Sequence, residues 1–391
     1  MKQKLKNIYH LFQAVAANLW YGFPSRHIKV IGVTGTDGKT TTTHVLHHIL
    51  SSTGRKTAML SSIYGKVGST IYDTGFHVTT PDSFMVQKML RDAVTAGEEY
   101  FVLETTSHAL DQNRVWGVKY EAAVLTNITH EHLDYHKTID EYAQTKWRLV
   151  EMAHVSLVNN DDYVAKELIT TKKAKNIRTY GLLDKADYSV DFRKEIADLA
   201  DFNAYNYLGA YGLCKELGVG EKDVLTALKT FKLPAGRIDV VFNKEFMVIV
   251  DFAHTPNAIK RILQTVKKLH LKKGGNIIHV FGSAALRDVT KRPMMGEMSA
   301  QYADISIITE EDYRTEDPAE IAEQIGNGFK NRNKEYITII NREDAIKKAL
   351  TLAQKNDVVV ITGKGHEKSL CRGKIEYPWS DIDCVKKYVS I

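Results

Sequence analysis

The chain has 391 residues, 43% of them hydrophobic, and its 53 basic and 47 acidic side chains give a formal net charge of +6. Such a length allows two or three hydrophobic cores, because a single domain usually has no more than about 150 to 200 residues. The basic excess is too small and too dispersed to require a nucleic-acid partner. Cys214, Cys371 and Cys384 lie far apart without a CxxC pair, which indicates neither a zinc site nor a disulfide framework and fits a reducing cytoplasm.

The N-terminal segment 1–30 carries an apolar, aromatic-rich run after a basic start at residues 1–6. Three interpretations fit this pattern: a helix that covers the first domain, a helix at a membrane surface, or a cleaved signal peptide. The run is interrupted by His10, Gln13 and Asn18. It is also too short to span a bilayer, which takes about 20 apolar residues. We predict a covering helix, keep membrane contact as an alternative, and leave the oligomeric state open.

Residues 30–43 join an apolar run to glycines, a lysine and four threonines (VIGVTGTDGKTTTT). Small glycines let main-chain N–H groups approach phosphate oxygens, an ammonium group neutralises charge, and a threonine hydroxyl can bind Mg²⁺. The spacing departs from the strict P-loop pattern, since five residues separate Gly32 from Gly38. A helical pattern at 41–50 follows, as the motif requires. We predict an ATP site, with a plain turn rich in glycine and threonine as the alternative.

Beyond this loop, apolar segments alternate with helical patterns, which predicts an α/β domain with a mostly parallel sheet. The predicted strands cover residues 100–104, 122–127 and 155–159. A helix is predicted over 141–152, because Thr138 and Glu141 form a capping-box pattern before it. Ligands of such sheets collect at the carboxyl ends of the strands.

A second α/β series begins near Arg237, after a stretch at 231–237 that has the proline and glycine of a hinge. Its predicted strands cover 247–250, 276–281, 305–309, 336–340 and 357–362, and its predicted helices include 256–269 and 318–329. This pattern favours a Rossmann-like domain. We therefore predict three parts: a helical segment (1–30), a P-loop central domain with a mostly parallel sheet (31–235) and a C-terminal Rossmann-like α/β domain (236–391).

Six short motifs lie in order along the chain: GTDGKTTT at 35–42, LETTSHAL at 103–110, TN at 126–127, HLDYH at 132–136, YAQTK at 142–146 and DFAHTP at 251–256. Together they resemble the Mur ligase family, most closely its MurE branch, which adds the third residue to a UDP-N-acetylmuramoyl peptide. The resemblance implies a cytoplasmic enzyme of peptidoglycan precursor synthesis. Such a ligase phosphorylates a carboxylate with ATP and lets an incoming amine attack the acyl phosphate.

The resemblance also implies ATP and Mg²⁺ as cofactors and gives the phosphate loop its parts. Lys39 would hold the β- and γ-phosphates while Thr40 binds Mg²⁺, because in-line phosphoryl transfer depends on positioning and charge neutralisation. Glu104 matches the family's acidic Mg²⁺ ligand, and the alternative is a solvated acid at a strand end. The other predicted ATP contacts of the loop are Gly35, Thr36, Asp37, Gly38 and Thr41.

His132 and Lys146 match two further catalytic positions of the family. His132 corresponds to a ligand of a second Mg²⁺, with a buried structural histidine as the alternative, since imidazole is an unusual partner for this ion. Lys146 corresponds to a lysine that CO₂ carbamylates, which turns a cation into an anion near that metal. Such a lysine must first lose its proton, which burial near cations favours. The alternative is an exposed lysine on a helix face.

Four residues resemble the family's contacts to the nucleoside and the phosphates: Asn203, Asn206, Arg237 and Asp251. The asparagines would meet the adenine edge, where an amide can both donate and accept, and an asparagine helix cap is the alternative. Arg237 and Asp251 would contact a phosphate and the ribose. ATP would then lie between the two domains, whose closure would exclude water from the acyl phosphate.

Two further groups match the substrate contacts of MurE-like enzymes. The muramoyl peptide would meet the segment 77–82 (HVTTPD) and its surroundings, in particular Thr79, Thr80, Thr106, Ser107 and Arg114. The incoming amino acid would meet Arg287, Asp312, Arg314, Gly363 and Glu367.

The choice of amino acid stays open between two classes. GKGHE at 363–367 is intact, whereas EDYR at 311–314 stands where the family has Asp-Asn-Pro-Arg. The retained Arg314 favours a substrate with a distal carboxylate, such as meso-diaminopimelate, because a guanidinium binds a carboxylate bidentately. The lost asparagine and proline keep lysine or another diamino acid as the alternative.

The resemblance fails at the N-terminus, because only 31 residues precede Gly32 and MurE proteins begin with a separate UDP-binding domain. Either another surface or chain holds the uridine nucleotide, or the acceptor carries none. The aromatic segment 20–24 could stack on it, with core packing as the alternative.

Two rival functions remain: a ligase like folylpolyglutamate synthase and a non-catalytic nucleotide-binding partner. The Lys-Thr-Thr-Thr, Thr-Thr-Pro-Asp and Gly-Lys-Gly-His-Glu runs argue against the first. The joint retention of phosphate and metal ligands argues against the second.

Overall fold

The computed structural model describes residues 2–73, 79–172, 174 and 176–389. The chain divides into two units: unit 1 comprises Met1–Thr129 and His136–Lys232, and unit 2 comprises His130–Tyr135 and Leu233–Ile391. Across the described residues, no helix combines the length and the hydropathy that crossing a membrane requires.

Unit 1 is built on a mostly parallel sheet. Its strands are β1 (Lys29–Thr34), β2 (Thr57–Leu60), β3 (Gly65–Val67), β4 (Thr70–Tyr72), β5 (Tyr100–Glu104), β6 (Tyr120–Leu125), β7 (Ala153–Asn159) and β8 (Ile177–Tyr180). They lie in the order β4-β3-β2-β5-β1-β6-β7-β8, and only the pairs made by β3 are antiparallel. The three strands predicted for this part are confirmed as β5, β6 and β7.

The helices of the first 232 residues are α1 (Lys2–Tyr21), α2 (Lys39–Ser52), α3 (Ser83–Thr95), α4 (Ser107–Asp111), α5 (Leu133–His136), α6 (Ile139–Met152), α7 (Tyr163–Thr171), α8 (Asp201–Glu216) and α9 (Glu221–Thr230). The predicted start of α6 is confirmed, because the Thr138 hydroxyl accepts a hydrogen bond from Glu141 N at 3.1 Å. The predicted N-terminal helix is confirmed as α1. Trp20 at its end is 79% exposed, so core packing is wrong for that side chain.

Alternating side chains along β1 divide the interior of unit 1 into two cores. Ile31 and Val33 pack in a cluster that includes residues of α2 and α8, such as Leu46 and Leu208. Val30 points to the other face of the sheet and joins a cluster with residues of α3 and α6. A strand buried on both faces is typical of a parallel sheet between two helical layers. This burial fixes the end of β1, where the glycine loop begins.

Unit 2 has a second α/β core. Its strands are β9 (Asp239–Asn243), β10 (Met247–Asp251), β11 (Ile277–Phe281), β12 (Ile305–Ile308), β13 (Ile337–Thr338), β14 (Val358–Thr362), β15 (Ser369–Arg372) and β16 (Ile375–Pro378). Its helices are α10 (Pro256–Thr265, continued by a π-helical turn Val266–His270), α11 (Lys291–Tyr302), α12 (Pro318–Lys330), α13 (Arg342–Leu352) and α14 (Asp381–Val389).

The main sheet of unit 2 has the order β13-β12-β11-β14-β10-β9, parallel except for β9, and β15 and β16 form a separate antiparallel pair. The predicted strand at 336–340 is shorter than expected, since only two residues pair there. Both sheets are mostly parallel with helical connections, so the predicted α/β class is confirmed.

Candidate active site

The loop between β1 and α2 requires glycine at two positions. Gly35 has φ 148° and Gly38 has φ 83°, conformations that residues with a side chain rarely adopt. A Cβ atom on Gly35 would also overlap the Thr126 hydroxyl, and one on Gly38 would overlap the Asn206 side chain. The loop thus turns sharply into the amino terminus of α2, where main-chain N–H groups and the helix dipole favour an anion.

Thr40 and Glu104 meet beside this loop. Glu104 is the last residue of β5, which is next to β1 in the sheet, and its side chain is buried. Its Oε1 accepts from Thr40 Oγ1 at 3.0 Å, and its Oε2 accepts from the main-chain N of Ser62 at 2.9 Å. The alternative of a solvated strand-end acid is therefore wrong. A hydroxyl and a carboxylate are the hard oxygen donors that suit Mg²⁺.

Two lysines approach carbonyl oxygens of the loop. Lys39 Nζ donates to Thr36 O at 2.7 Å, and Lys146 Nζ donates to Gly35 O at 2.6 Å. Lys146 lies on α6, is 1% exposed and holds Nζ 4.4 Å from the centre of the Tyr142 ring. It is therefore not an exposed lysine on a helix face. Two lysine side chains therefore border the loop on which an anion would bind.

Residues that follow β6 hold the loop in place. Asn127 Oδ1 accepts from Asp37 N at 2.9 Å, and Asn127 Nδ2 donates to Asp37 O at 2.9 Å. Thr126 Oγ1 donates to the same carbonyl at 2.7 Å. These two residues were noted only as part of a motif. Their place after β6, the other neighbour of β1, was the signal that could have assigned them this role.

Asn203 and Asn206 lie inside α8 rather than at its cap. The N-cap residue is Ala200, so the alternative of an asparagine cap is wrong. Both side chains are buried, and Asn206 Nδ2 donates to Asn203 Oδ1 at 3.0 Å. Asn206 Oδ1 accepts from Thr42 Oγ1 at 3.4 Å and lies beside Gly38. Asn206 therefore reaches the phosphate loop, while the adenine contact stays a prediction.

Three of the predicted acceptor residues gather at Glu104. Thr80 Oγ1 donates to Glu104 O at 2.9 Å and accepts from Thr106 N at 3.1 Å. Arg114 Nη1 donates to Thr80 O at 3.0 Å, which brings a guanidinium to the same strand end. These contacts link the predicted acceptor region to the predicted metal ligand.

The other residues of the predicted acceptor segment 77–82 are only partly described by the structure. Thr79 is half-buried, whereas His77 and Val78 lie outside the described residues. Asp82 caps α3, because its carboxylate accepts from two main-chain N–H groups at the start of that helix.

Ser107 faces a histidine that sequence reasoning did not single out. The Nε2 of His136 lies 3.0 Å from Ser107 Oγ, and both side chains are buried. Burial and the nearby Lys146 lower the pKa of His136 to about 4. A neutral imidazole therefore lies beside this predicted acceptor contact at neutral pH.

In unit 2, His132 lies next to a buried acid. It has φ 56°, an uncommon conformation for a residue with a side chain, and its side chain is 30% exposed. The alternative of a buried structural histidine is therefore wrong. Glu131 Oε1 lies 2.9 Å from His254 Nε2. Burial acts to raise the pKa of Glu131, but His132 and His254 hold it well below its usual value. Neither Glu131 nor His254 was singled out from the sequence.

Asp251 ends β10 and is held by main-chain groups. Its carboxylate accepts from Ile238 N and from Ala253 N, both at 2.8 Å. Burial raises the pKa of Asp251, an effect that Arg237 opposes. The Arg237 guanidinium lies 4.6 Å from the centre of the Phe252 ring. The ribose and phosphate contacts of these two residues stay predictions.

A buried charge network occupies the carboxyl ends of β12 and β14. Lys364 Nζ lies 2.8 Å from Asp312 Oδ1 and 2.5 Å from Glu367 Oε2. Burial acts to lower the pKa of Lys364, but Glu367 and Asp312 raise it above its usual value. Burial and the charge of Asp312 raise the pKa of Glu311. Gly363 has φ 108°, and a Cβ there would crowd the Glu311 carboxylate.

The two predicted arginine contacts for the amino acid lie in different loops. Arg314 has φ 46°, and its main-chain N donates to Cys371 O at 3.3 Å, which places it beside β15. Arg287 is half-buried after β11, next to Asp288, whose Oδ2 lies 3.1 Å from His130 Nε2. Their carboxylate contacts stay predictions.

Unit 1 thus brings together the predicted phosphate, metal and acceptor residues that surround the ends of β1 and β5. His132, Arg237, Asp251 and the predicted amino-acid contacts belong to unit 2. The Mg²⁺ ligand role of Glu104 and the second Mg²⁺ at His132 and Lys146 stay predictions. Ser62, which bonds both Thr40 and Glu104, was missed, and its only signal in the sequence is that it follows β2.

The architecture and this site define the class of protein. A glycine loop leads from a central parallel strand into a helix amino terminus, with lysines beside it and a threonine–carboxylate pair at the neighbouring strand end. This is the arrangement of an α/β enzyme that binds nucleotide phosphates.

Comparisons with known proteins identify the family. The family model described as "Mur ligase middle domain" matches residues 33–214, and the model described as "Mur ligase, glutamate ligase domain" matches residues 236–365. A UDP-N-acetylmuramoyl-L-alanyl-D-glutamate–2,6-diaminopimelate ligase of Clostridium botulinum is 37% identical over 376 residues, 90% of this chain and 76% of that protein. The ligase of the same name from Aquifex aeolicus is 37% identical over 391 residues, 95% of this chain and 80% of that protein. The chain belongs to the Mur ligase family, whose members are ATP-dependent ligases that form amide bonds.

Solved structures support the fold. A UDP-N-acetylmuramoyl-L-alanyl-D-glutamate–2,6-diaminopimelate ligase superposes with a TM-score of 0.61 at 29% identity, over 93% of this chain and 78% of that chain. Folylpolyglutamate synthase of Mycobacterium tuberculosis gives 0.73 at 17% identity, over 90% of this chain and 92% of that chain. At that identity, the second likeness concerns the fold alone.

Proposed function

We propose that the chain joins a diamino acid, 2,6-diaminopimelate or lysine, to the muramoyl dipeptide UDP-N-acetylmuramoyl-L-alanyl-D-glutamate through an acyl phosphate formed with ATP. The observation that carries this proposal is the phosphate loop, with Lys39 and Lys146 at its carbonyl oxygens and Thr40 bonded to Glu104. The names of the Clostridium botulinum and Aquifex aeolicus relatives support the acceptor and the amino acid. The use of ATP and three free, buried cysteines favour the cytoplasm.

ATP and Mg²⁺ fit the chemistry of the loop. Thr40 and Glu104 would hold Mg²⁺, and the bound ion would neutralise charge on the transferring phosphoryl group. The glycine loop and the amino terminus of α2 would bind phosphate oxygens, while Lys39 would reach the β- and γ-phosphates. The acceptor carboxylate then attacks the γ-phosphorus and ADP leaves. The deprotonated amine of the second substrate attacks the acyl carbon, an amide bond forms and phosphate leaves.

The acceptor is expected to approach Glu104 from the side of Thr80. Its carboxylate would be repelled by a bare Glu104, so a nearby cation is required. Arg114 meets this need, because its guanidinium is held by Thr80 O at 3.0 Å and by Gln112 Oε1 at 2.9 Å. Ser107, opposite the neutral imidazole of His136, can donate a further hydrogen bond to the peptide.

We also propose that Lys146 carries a carbamate in the active enzyme. Its burial supports this, because a desolvated lysine more readily becomes the neutral amine that CO₂ modifies. The new bond joins Nζ to the carbon of CO₂, and a proton is released. One N–H remains on Nζ to donate to Gly35 O, so the observed contact is compatible with the modification.

A carbon-13 spectrum of the enzyme equilibrated with labelled CO₂ tests this second proposal. The carbamate signal should be present in the wild type and in Lys166→Ala, which alters an exposed lysine on α7. It should be absent from Lys146→Ala. A signal that persists in Lys146→Ala would assign the carbamate elsewhere.

Unit 2 supplies the argument about the amino acid. Asp312 takes the place of the asparagine in the resembled signature and is paired with Lys364 at 2.8 Å. Its carboxylate favours an ammonium group of the substrate, whereas Arg314 in the same signature favours a carboxylate. Diaminopimelate carries both an ammonium group and a carboxylate at its far end, whereas lysine carries only an ammonium group there.

Phosphate release tests the proposed function. Purified protein is given ATP, Mg²⁺ and the UDP-linked dipeptide, with diaminopimelate, lysine, ornithine or glutamate in turn, and the product is identified by mass spectrometry. We expect amide formation only with a diamino acid. The Lys39→Ala variant is the control and should be inactive. Turnover only with a folate acceptor and glutamate would establish the rival ligase. ATP binding without turnover on any acceptor would establish a non-catalytic partner.

A further inference from the structure

Helix α1 presents an apolar face to solvent. Six of its large side chains are between 51% and 79% exposed: Leu5, Ile8, Tyr9, Phe12, Leu19 and Trp20. The first four recur at spacings of three and four residues, and Leu19 follows Phe12 after seven, which is two helical turns. The six side chains therefore form one stripe along the helix, about 22 Å long at 1.5 Å per residue. We call it the α1 stripe. A surface helix normally turns such a stripe toward the core, so this stripe requires another apolar environment.

The opposite face of α1 fixes the helix to unit 1. Ala17 and Asn18 on that face are fully buried. Asn18 Nδ2 donates to Trp116 O at 2.8 Å, and Asn7 Nδ2 donates to Asp111 Oδ2 at 2.9 Å. Turning the α1 stripe inward would break these bonds and expose the small residues that pack there. The stripe therefore stays outward while the rest of unit 1 is folded.

The charged residues of α1 and of the segment that follows it up to position 36 are all basic. The basic residues of the first 36 positions are Lys2, Lys4, Lys6, Arg26 and Lys29, and the first acidic residue of the sequence is Asp37. Basic residues thus occur near both ends of the helix. A symmetric contact between two copies would bring this basic helix against the same basic helix of the other copy. Anionic lipid headgroups offer the complementary charge.

We propose that α1 lies in the headgroup layer of an anionic membrane, with the α1 stripe toward the acyl chains, and tethers unit 1 to that surface. An amphipathic helix of this kind buries its apolar face about 5–10 Å into the boundary between headgroups and chains. Tyr9 and Trp20 suit that boundary, because their rings are apolar and carry one polar group. The inference is independent of the reaction that the protein catalyses.

Vesicle flotation tests the proposal with the full-length protein. Vesicles of phosphatidylglycerol mixed with phosphatidylcholine are compared with vesicles of phosphatidylcholine alone. The wild type should float with the anionic vesicles, and added salt should weaken its binding. Phe12→Ser/Trp20→Ser should bind at least about tenfold more weakly, because it removes the two largest apolar groups of the stripe.

The matched control is Tyr163→Ser/Leu183→Ser, which removes an aromatic and an aliphatic side chain of 80% and 83% exposure elsewhere on unit 1. It should bind like the wild type. Far-UV circular dichroism and thermal unfolding should show both double variants folded, since all four side chains point into solvent. Replacing the lysines at positions 2, 4 and 6 by glutamine should weaken binding to anionic vesicles.

Three results would overturn the proposal. The first is no flotation of the wild type with anionic vesicles. The second is equal loss of binding in both double variants, which would mean that α1 is not the tether. The third is a wild-type dimer in analytical ultracentrifugation that Phe12→Ser/Trp20→Ser dissociates, without vesicle binding. That result would assign the α1 stripe to a second copy of the chain.

Discussion

The phosphate loop of unit 1 and the charge network of unit 2 hold their cations in different ways. At the loop, Lys39 donates to the main-chain carbonyl oxygen of Thr36 at 2.7 Å. In the network, Lys364 lies between the carboxylates of Asp312 and Glu367. A carbonyl partner orients an ammonium group without cancelling its charge, whereas two carboxylates more than cancel it.

This difference separates charge that attracts a ligand from charge that maintains the fold. Arg342 and Asp381 are the clearest case of the second kind: both are fully buried, and Arg342 Nε donates to Asp381 Oδ1 at 2.7 Å. Losing one partner of such a pair leaves a buried charge unpaired, which is costly. We therefore expect substitutions at the loop to change turnover and substitutions in the Arg342–Asp381 pair to change stability.

The largest expected effect is that of Lys39→Ala on turnover. The loss of its ammonium removes charge stabilisation of the transferring phosphoryl group, and the rate of ATP-dependent phosphate release should fall at least about 10³-fold. Unfolding temperature should change little. Lys56→Ala, which alters an exposed lysine of the same unit, is the control and should keep wild-type rates. Comparable rates in the two variants would place the phosphates away from this loop.

Asp381→Ala should have its effect on stability. The free energy of unfolding should fall by about 3–5 kcal/mol, because Arg342 stays buried without its carboxylate. The control is Asp184→Ala, which breaks the exposed pair with Lys166 and should cost less than about 1 kcal/mol. Urea denaturation followed by circular dichroism measures both. Equal losses of unfolding free energy in the two variants would show that burial does not determine how much these ion pairs stabilise the fold.

Part of this site could be predicted because its chemistry follows strand ends. In a parallel sheet, the carboxyl ends of neighbouring strands share one edge, so the loop after β1 and the acid that ends β5 belong together. The predicted position of Glu104 at a strand end is confirmed, while its role as a Mg²⁺ ligand stays a prediction. Thr138 and Glu141 likewise marked the start of α6, since a cap depends on residues only three apart.

The rest depends on tertiary packing that no local pattern encodes. Ser62 and His136 contribute through side chains that meet the site only when their elements are packed. The orientation of α1 was also unpredictable: the apolar residues marked it as a helix, but its small residues face unit 1. Close packing against small side chains competed with burial of the large ones.

Acidification should weaken both units through buried histidines. Burial lowers the pKa of His279 in unit 2 to about 3, and that of His136 in unit 1 to about 4. The unfolded chain binds protons near the ordinary value of 6.5, so their contribution to stability is complete above that pH and is lost as pH falls toward each folded value. Each histidine should contribute about 1.4 kcal/mol per pH unit in that window.

Urea midpoints measured across the same window check this expectation. His279→Gln should reduce the slope of unfolding free energy against pH, because it removes a group that titrates only in the unfolded chain. His154→Gln, which alters an exposed histidine, should leave the slope unchanged. An unchanged slope in His279→Gln would mean that this imidazole is protonated in the folded protein.

The smallest effect is expected from Asp312→Asn, which makes the network of unit 2 more like the loop of unit 1. The amide oxygen can still accept from Lys364 and from Cys371 N, so the fold should be kept. Glu367 still pairs with Lys364, but the network loses one negative charge and therefore repels a substrate carboxylate less. If the proposed reaction is correct, the ratio of kcat/KM for diaminopimelate over lysine should rise about tenfold, or about 1.4 kcal/mol.

Asp344→Asn, on the exposed start of α13, is the matched control for the loss of one negative charge and should leave that ratio unchanged. Steady-state kinetics with both amino acids measure the comparison. A ratio that stays at the wild-type value in Asp312→Asn, with stability intact, would mean that Lys364 does not meet the substrate. The network would then serve the fold alone, and the contrast between the two units would be complete.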